Sequence, residues 1–330
     1  MKYYVMKKTA SGVIFLEMDK NNTFKKVSEK KVRLLKSLID MPQKKIIVYW
    51  MRHCQSCANI KYKLNLSRHL ETPSCTQEGL ATSLTMGKRL VEDEIDFDQV
   101  LCSPLPRAMM TAYFVSKKMY EDTGSTDITV IPYITEKTSV VNNFTSNTTV
   151  TANTVSFKEC KNWAVALSSL KTNPLVTIDI NAEVLKHAYN GRGKENFLIK
   201  GDIKKDYSKF LKDVLLPMED STVLIVSHRH YITSLLKPFE LEVGHMKNNG
   251  FAKIDYYVYN NIIVAANAKY DNISNVTIKE ENLHYADKYL KKLKIYDCKH
   301  YYSNSSGIEN NKSFQIKPLL KMSKLYKNID

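Results

Sequence analysis

The sequence predicts an α/β fold, a three-layer α/β/α sandwich around a mainly parallel central sheet, and three observations carry that expectation. Short runs of β-branched and aromatic residues alternate along the middle of the chain with stretches whose apolar residues recur at helical spacing. The strongest apolar runs, Ile46 to Met51 and Val223 to Val226, are strand-sized, and none approaches the ~18 residues of a membrane span. With 330 residues, 43% of them hydrophobic, and only 10 Gly and 9 Pro, the chain can bury a sizeable core and is neither disordered nor collagen-like.

In chain order, residues 45–51 read as a strand, and residues 77–92 as a helix with Leu80, Leu84, Met86, Leu90 and Val91 at its spacing. Residues 99–103 read as a strand, 107–120 as a helix and 128–133 as a strand. A buried strand follows at 222–228, a helix opens at 231–236, and residues 251–259 alternate as a late strand. Strands separated by helices imply βαβ units and a parallel sheet covered on both faces. Residues 137 to about 173 are polar and rich in Thr and Asn, which predicts an irregular insert. The tail after about residue 260 holds a helix at 283–293, then a segment, 301–311, too polar to pack. The first 42 residues read as an arm with a strand at 12–18 and a basic helix at 25–39. No internal repeat is present.

The formal charge of +15 comes from 42 Lys and only 7 Arg, and it is uneven: +8 over residues 1–50, +2 over 51–280 and +5 over 281–330. Nucleic-acid and phosphate readers favour Arg for its planar fork, so the basic ends do not predict nucleic-acid binding. The N-terminal apolar stretch, Val13 to Leu16, is too short for a signal-peptide core. An intracellular, cytoplasmic protein is expected. Six cysteines are far too sparse for a disulfide scaffold, and sequons such as Asn143-Phe-Thr145 and Asn147-Thr-Thr149 matter only in a secreted chain.

In open α/β sheets ligands sit at the carboxyl ends of the strands. There the sequence places Arg52-His53-Cys54-Gln55-Ser56-Cys57-Ala58-Asn59, then Ser103-Pro104-Leu105-Pro106-Arg107-Ala108, then Glu136, then Ser227-His228-Arg229-His230. Four strand ends deliver two Arg, two His and one Glu to one rim. Alone, each is bland: an Arg-His pair is usually structural, Ser-Pro-Leu-Pro is a turn before a helix, and Arg229 and His230 read as helix-start side chains.

Together these residues resemble the histidine phosphatase superfamily, which includes cofactor-dependent phosphoglycerate mutases. Arg52, His53, Ser56 and Asn59 match its Arg-His-Gly-x-Ser-x-x-Asn motif, Ser103 to Ala112 match Ser-Pro-Leu-x-Arg-Ala-x-x-Thr-Ala, and Thr76 with Gly79 resembles its Leu-Thr-x-x-Gly helix start. The resemblance implies a phosphoglycerate mutase-like fold with a catalytic domain at 43–268, a polar insert at about 137–215, a basic arm at 1–42 and a basic extension at 269–330. It implies catalytic roles for His53, Glu136 and His228, and phosphate binding by Arg52, Ser56, Asn59, Arg107 and His228. His53 would take the phosphoryl group, the cations would lower its pKa, and Glu136 would protonate the leaving oxygen. No metal or cofactor is required. The partner implied is a phosphorylated small molecule or phosphoprotein; the oligomeric state stays open.

Cys54 and Arg229 replace family glycines, and a positive φ at Cys54 would imply strain of ~1 to 3 kcal/mol. A catalytically weak or inactive phospholigand-binding protein is therefore an alternative. A mutase is disfavoured, because Ala58 stands where mutases usually carry Trp and no Arg-x-Tyr-Gly segment follows Glu136. Cys54-Gln-Ser-Cys57 also spells C-x-x-C, but the next candidate ligands, His69 and Cys75, lack zinc spacing. Oxidation of Cys54 would be expected to block the neighbouring His53.

Overall fold

The computed structural model describes residues 1–295 apart from 11, 20, 60–72, 123, 138, 143–148, 153, 171–174, 181–197, 242, 245, 272–276 and 294. The strands in chain order are β1 (Lys2–Thr9), β2 (Gly12–Met18), β3 (Phe24–Lys26), β4 (Lys44–Arg52), β5 (Gln99–Cys102), β6 (Ser125–Val130), β7 (Ser139–Asn142), β8 (Thr149–Ala152), β9 (Thr154–Ser156), β10 (Leu175–Asp179), β11 (Leu198–Lys200), β12 (Ser221–Ser227), β13 (Phe251–Tyr259) and β14 (Ile262–Asp271). Ten form one sheet in the order β10-β6-β5-β12-β4-β13-β14-β1-β2-β3. From β10 to β4 every neighbour is parallel, so four strands of this half, β4, β5, β6 and β12, deliver their carboxyl ends to a common edge.

Both faces are covered, as the near-continuous apolar character of the strands requires. Along β12, Leu224 and Val226 point into one core and Val223 and Ile225 into the other, the two-residue period of a strand. Helices Gln77–Glu92, Pro106–Met119, Phe157–Ser168 and Glu280–Lys292 cover the first face. Helix Arg229–Leu236, with helix Ile203–Lys209 continuing as a π-helical turn to Leu215, covers the second. The chain is thus the three-layer α/β/α sandwich expected, and its mainly parallel portion carries the rim residues.

Several elements differ from the sequence reading. The first 42 residues extend the sheet: β1 pairs in parallel with β14, with Lys2 opposite Ile262, and β2 pairs antiparallel with β1. Helix Glu29–Asp40 lays Leu35 and Leu38 on Phe15, Tyr4 and Val264 in a third cluster of the core. The helix expected from residue 25 starts at 29 because Phe24–Lys26 is already paired with β2. The polar region 137–173 is not wholly irregular. It holds a β7–β8 hairpin and a helix whose Cys160, Trp163, Ala164 and Leu167 are buried at helical spacing; that periodicity outweighs the polar composition around it. The strand expected at 128–133 runs from Ser125 to Val130, and the chain turns through Pro132–Ile134, since Pro132 has no N–H for the ladder. Strand β14 was read as tail. Within the C-terminal extension, helix Glu280–Lys292 buries Ala286, Tyr289 and Leu290 in the main core. Segment 301–311, the sequons Asn143 and Asn147, His69 and Cys298 lie outside the described residues.

Among the described residues no helix is long and apolar enough to cross a membrane. Because Phe15 is fully buried under helix Glu29–Asp40, Phe15→Ala should destabilise the protein by about 3 to 5 kcal/mol. The loss should appear in the same denaturant transition as the parallel half of the sheet, followed by fluorescence of the buried Trp50. A loosely attached arm would leave that midpoint unchanged.

Candidate active site

β4 ends at Arg52, and the next peptide is held on both sides. The N–H of His53 donates to the Ser227 carbonyl at 2.9 Å and the N–H of Arg52 to the Gly250 carbonyl at 2.9 Å. The sheet register therefore continues into the loop that carries the imidazole. His53 Nδ1 lies 2.7 Å from the Cys54 carbonyl, an acceptor, so Nδ1 carries the proton. That leaves the lone pair on Nε2, which receives Arg107 Nε at 3.2 Å. The histidine is held as one tautomer with its basic nitrogen facing a guanidinium.

Helix Pro106–Met119 supplies that guanidinium. Pro106 at its first position suits the helix start, and Arg107 follows, 4% exposed. Arg52, 6% exposed, donates through Nη1 to the Met246 carbonyl, while its Nε has no hydrogen-bond partner. Burial brings both guanidiniums down to about 10, helped by Arg229 for Arg52 and by Arg52 for Arg107; both remain charged at neutral pH. Burial, then Arg107 and Arg52, hold His53 well below the ordinary histidine value. His228, fully buried, is lowered by the same burial, then by Arg107, His53, Arg52 and His230. The result is two cations beside two neutral imidazoles whose ring centres are 5.2 Å apart.

His228 Nε2 is 2.8 Å from Ser103 Oγ and its Nδ1 is 3.9 Å from Glu136 Oε2. Glu136 follows the Pro132–Ile134 turn, and its carboxylate, 9% exposed, receives the Lys137 N–H at 3.3 Å. Gly201 makes this segment possible: a Cβ there would sit 2.0 Å from the Glu136 carbonyl oxygen. Ser56 and Asn59 face each other instead of standing separately, with Ser56 N and Oγ each 3.0 Å from Asn59 Oδ1. Asn248 Nδ2 ties the group together, donating to the carbonyls of His53 (2.8 Å) and Cys54 (2.9 Å) and lying 3.3 Å from Asn59 Oδ1. All seven expected residues thus converge on one edge of the sheet.

Three contributors escaped the sequence reading. Asn248 sits in the Lys-Asn-Asn-Gly turn at 247–250, whose composition announces a turn but not its target 195 residues away. Thr111 accepts the Cys54 N–H at 2.8 Å. His230, read as a helix-start side chain, places Nδ1 3.3 Å from Glu136 Oε1. The two replaced glycines cause no backbone strain: neither Cys54 nor Arg229 has positive φ. Cys54 instead forms a disulfide with Cys75, beside a bridge between Ser56 and Cys75. The link joins the His53 loop to the start of helix Gln77–Glu92. There Thr76 caps the Gly79 N–H at 2.9 Å, and a Cβ on Gly79 would meet the Gln55 carbonyl at 2.2 Å. Among the described residues no group of three or more His, Cys, Asp and Glu is arranged to hold a metal ion.

Fold and site define an α/β protein with a cluster of buried histidines and arginines at the carboxyl ends of its parallel strands. Residues 48–131 match the model of the histidine phosphatase superfamily (branch 1). An uncharacterized protein of Acanthamoeba polyphaga mimivirus is 22% identical over 304 residues, covering 77% of this chain and 51% of its own length. The chain therefore spans about half the length of that relative. Among solved structures it is similar to phosphoglycerate mutase from Bacillus anthracis (15% identity, 75% of this chain and 99% of that one, TM-score 0.39). It is also similar to phosphoserine phosphatase from Entamoeba histolytica (17% identity, 68% and 96%, TM-score 0.35).

Two outcomes follow from this geometry. His53 and His228 are held below the unfolded value of about 6.5, so the unfolded chain binds more protons as pH falls through that value and stability falls with it. Each should contribute a loss of about 1.4 kcal/mol per pH unit until its folded pKa is reached. Urea midpoints from pH 7.5 to 5 should drop less steeply in His53→Asn/His228→Asn. The Cys54–Cys75 link has a sequence separation of 21, for which loop closure is worth about 3 kcal/mol. Cys75→Ala should lose up to that amount without reductant, and dithiothreitol should lower the wild-type midpoint by more than that of the variant, which keeps Cys54 and Cys57.

Proposed function

We propose that the protein is a metal-independent phosphatase that hydrolyses a phosphomonoester through a phosphohistidine on His53. The observation that carries this reading is the His53 tautomer: Nδ1 is committed to the Cys54 carbonyl, and Nε2 is unprotonated beside Arg107. Neutral imidazole is a good nucleophile toward phosphorus, and it splits one difficult transfer into two. In the first step a bond forms between His53 Nε2 and phosphorus while the ester P–O bond breaks, and protonated Glu136 gives its proton to the leaving oxygen. In the second, water attacks phosphorus and gives a proton to Glu136 as the P–N bond breaks.

Arg52 and Arg107 spread charge over the phosphoryl oxygens, the main demand of this chemistry. His228 donates to the same group, and Ser56 and Asn59 complete the cradle. A phosphorylated small molecule or phosphoprotein is the substrate class, and no residue of the scheme calls for a metal.

With an aryl phosphate and EDTA present, wild type should turn over and give an acid-labile, base-stable phosphoenzyme, and His53→Ala should give neither. Wild-type hydrolysis without a labelled histidine would refute the intermediate. Phosphate binding without turnover would instead leave a binding protein on this fold. Arg107→Ala should lower kcat by about 10² to 10³-fold. Glu136→Gln should lower it by about 10² to 10⁴-fold on an alkyl ester, and by much less on an aryl ester whose leaving group needs no proton.

A further inference from the structure

Glu136 has a partner that the scheme above does not use. His230 is the second residue of helix Arg229–Leu236, and its Nδ1 lies 3.3 Å from Glu136 Oε1. The two side chains meet water very differently: Glu136 is 9% exposed and His230 70% exposed. The other carboxylate oxygen, Oε2, faces His228 Nδ1 at 3.9 Å. The carboxyl thus spans from the buried reaction centre on one side to a solvent-accessible imidazole on the other.

We propose that His230 is a positioning residue that shares one proton with Glu136, making the Glu136–His230 pair, and not the carboxyl alone, the acid–base unit of the site. This rests on the phosphatase reading for its catalytic consequence, but the pairing itself does not. An isolated carboxyl has lost its proton well below neutral pH, whereas a general acid must still hold one when substrate binds. An imidazole 3.3 Å away can hold that proton for the carboxyl, and in neutral form its Nδ1 can accept the carboxyl O–H.

The surroundings are consistent. The hydrogen bond to Glu136 is the largest influence on His230 and raises its pKa, against burial, Arg229 and Arg52. His228, the other titratable neighbour, is held neutral, so it does not compete as a proton donor to the carboxylate. His230 is held from behind by its own helix, where Ser234 Oγ donates to its carbonyl at 2.7 Å. The cycle balances: the proton that leaves the pair with the first product is restored by the attacking water.

Two measurements on the full chain test the proposal separately from the enzyme assignment. First, an NMR titration of the His230 ring should show a midpoint above the ordinary value of about 6.5, moving down in Glu136→Gln; an unmoved midpoint overturns the pairing whether or not the protein turns anything over. Second, the pH profile of kcat/KM on an alkyl phosphate should distinguish His230→Gln, which keeps a hydrogen-bonding side chain but cannot titrate, from wild type. The Gln variant should lose about 10²-fold in kcat/KM at pH 7.5 and move its alkaline limb down by about two pH units, from the histidine toward the carboxyl range. Its phosphohistidine labelling at low pH should be preserved. A Gln variant with the wild-type profile at every pH refutes the shared proton while leaving the phosphatase reading intact. A coupled His230 titration in a protein with no turnover would do the reverse.

Discussion

Two guanidiniums buried beside an imidazole are the constraint around which the rest of the molecule is arranged. Removing one such ion from water costs several kcal/mol, and Arg52 and Arg107 repel each other as well. The arrangement holds because each is fixed by a neutral acceptor, the Met246 carbonyl for Arg52 and His53 Nε2 for Arg107. Neither acceptor cancels charge. Glu136 offsets part of their charge, and burial first, then the two guanidiniums, keeps His53 and His228 neutral.

That arrangement also accounts for the amount of scaffolding around the His53 loop. The loop is tied to β12 through Ser227, to Thr111 of the neighbouring helix, to the 247–250 turn through Asn248 and to the start of helix Gln77–Glu92 through Cys75. Cysteine follows His53 where the resembling motif carries glycine, and it is accommodated because the chain there never needs a positive φ. The added side chain becomes one more tie. The same holds for Arg229, which sits as the first residue of a helix and adds positive charge near Arg52.

The parallel half of the fold was legible because its strands are buried on both faces and read as unbroken apolar runs, as in Val223 to Val226. The site was legible for a related reason: its residues lie immediately after those runs, where an α/β sheet gathers them. What escaped depends on partners distant in sequence. β1 and β14 are stabilised by each other, and β1, Lys2–Thr9, carries three lysines that obscure the burial of Tyr3 and Val5 on one face and Tyr4 on the other. The helix at 157–168 lies between polar segments that dominate any composition average. Asn248 and His230 belong to the site through contacts that no local pattern encodes, and a histidine two residues after His228 looks the same whether it faces solvent or a carboxylate.

The parallel pairing of β1 with β14 sets an order of events during synthesis. β1 is synthesised well before β14, its parallel sheet partner, which lies some 260 residues further on. At about 5 to 20 residues per second the hairpin of β1 and β2, with Tyr4 and Phe15 on its apolar face, waits on the order of tens of seconds before the sheet edge it completes exists. Through that interval the β1–β2 pair keeps an unsatisfied strand edge, and that edge is where chaperone capture or mispairing between chains would act.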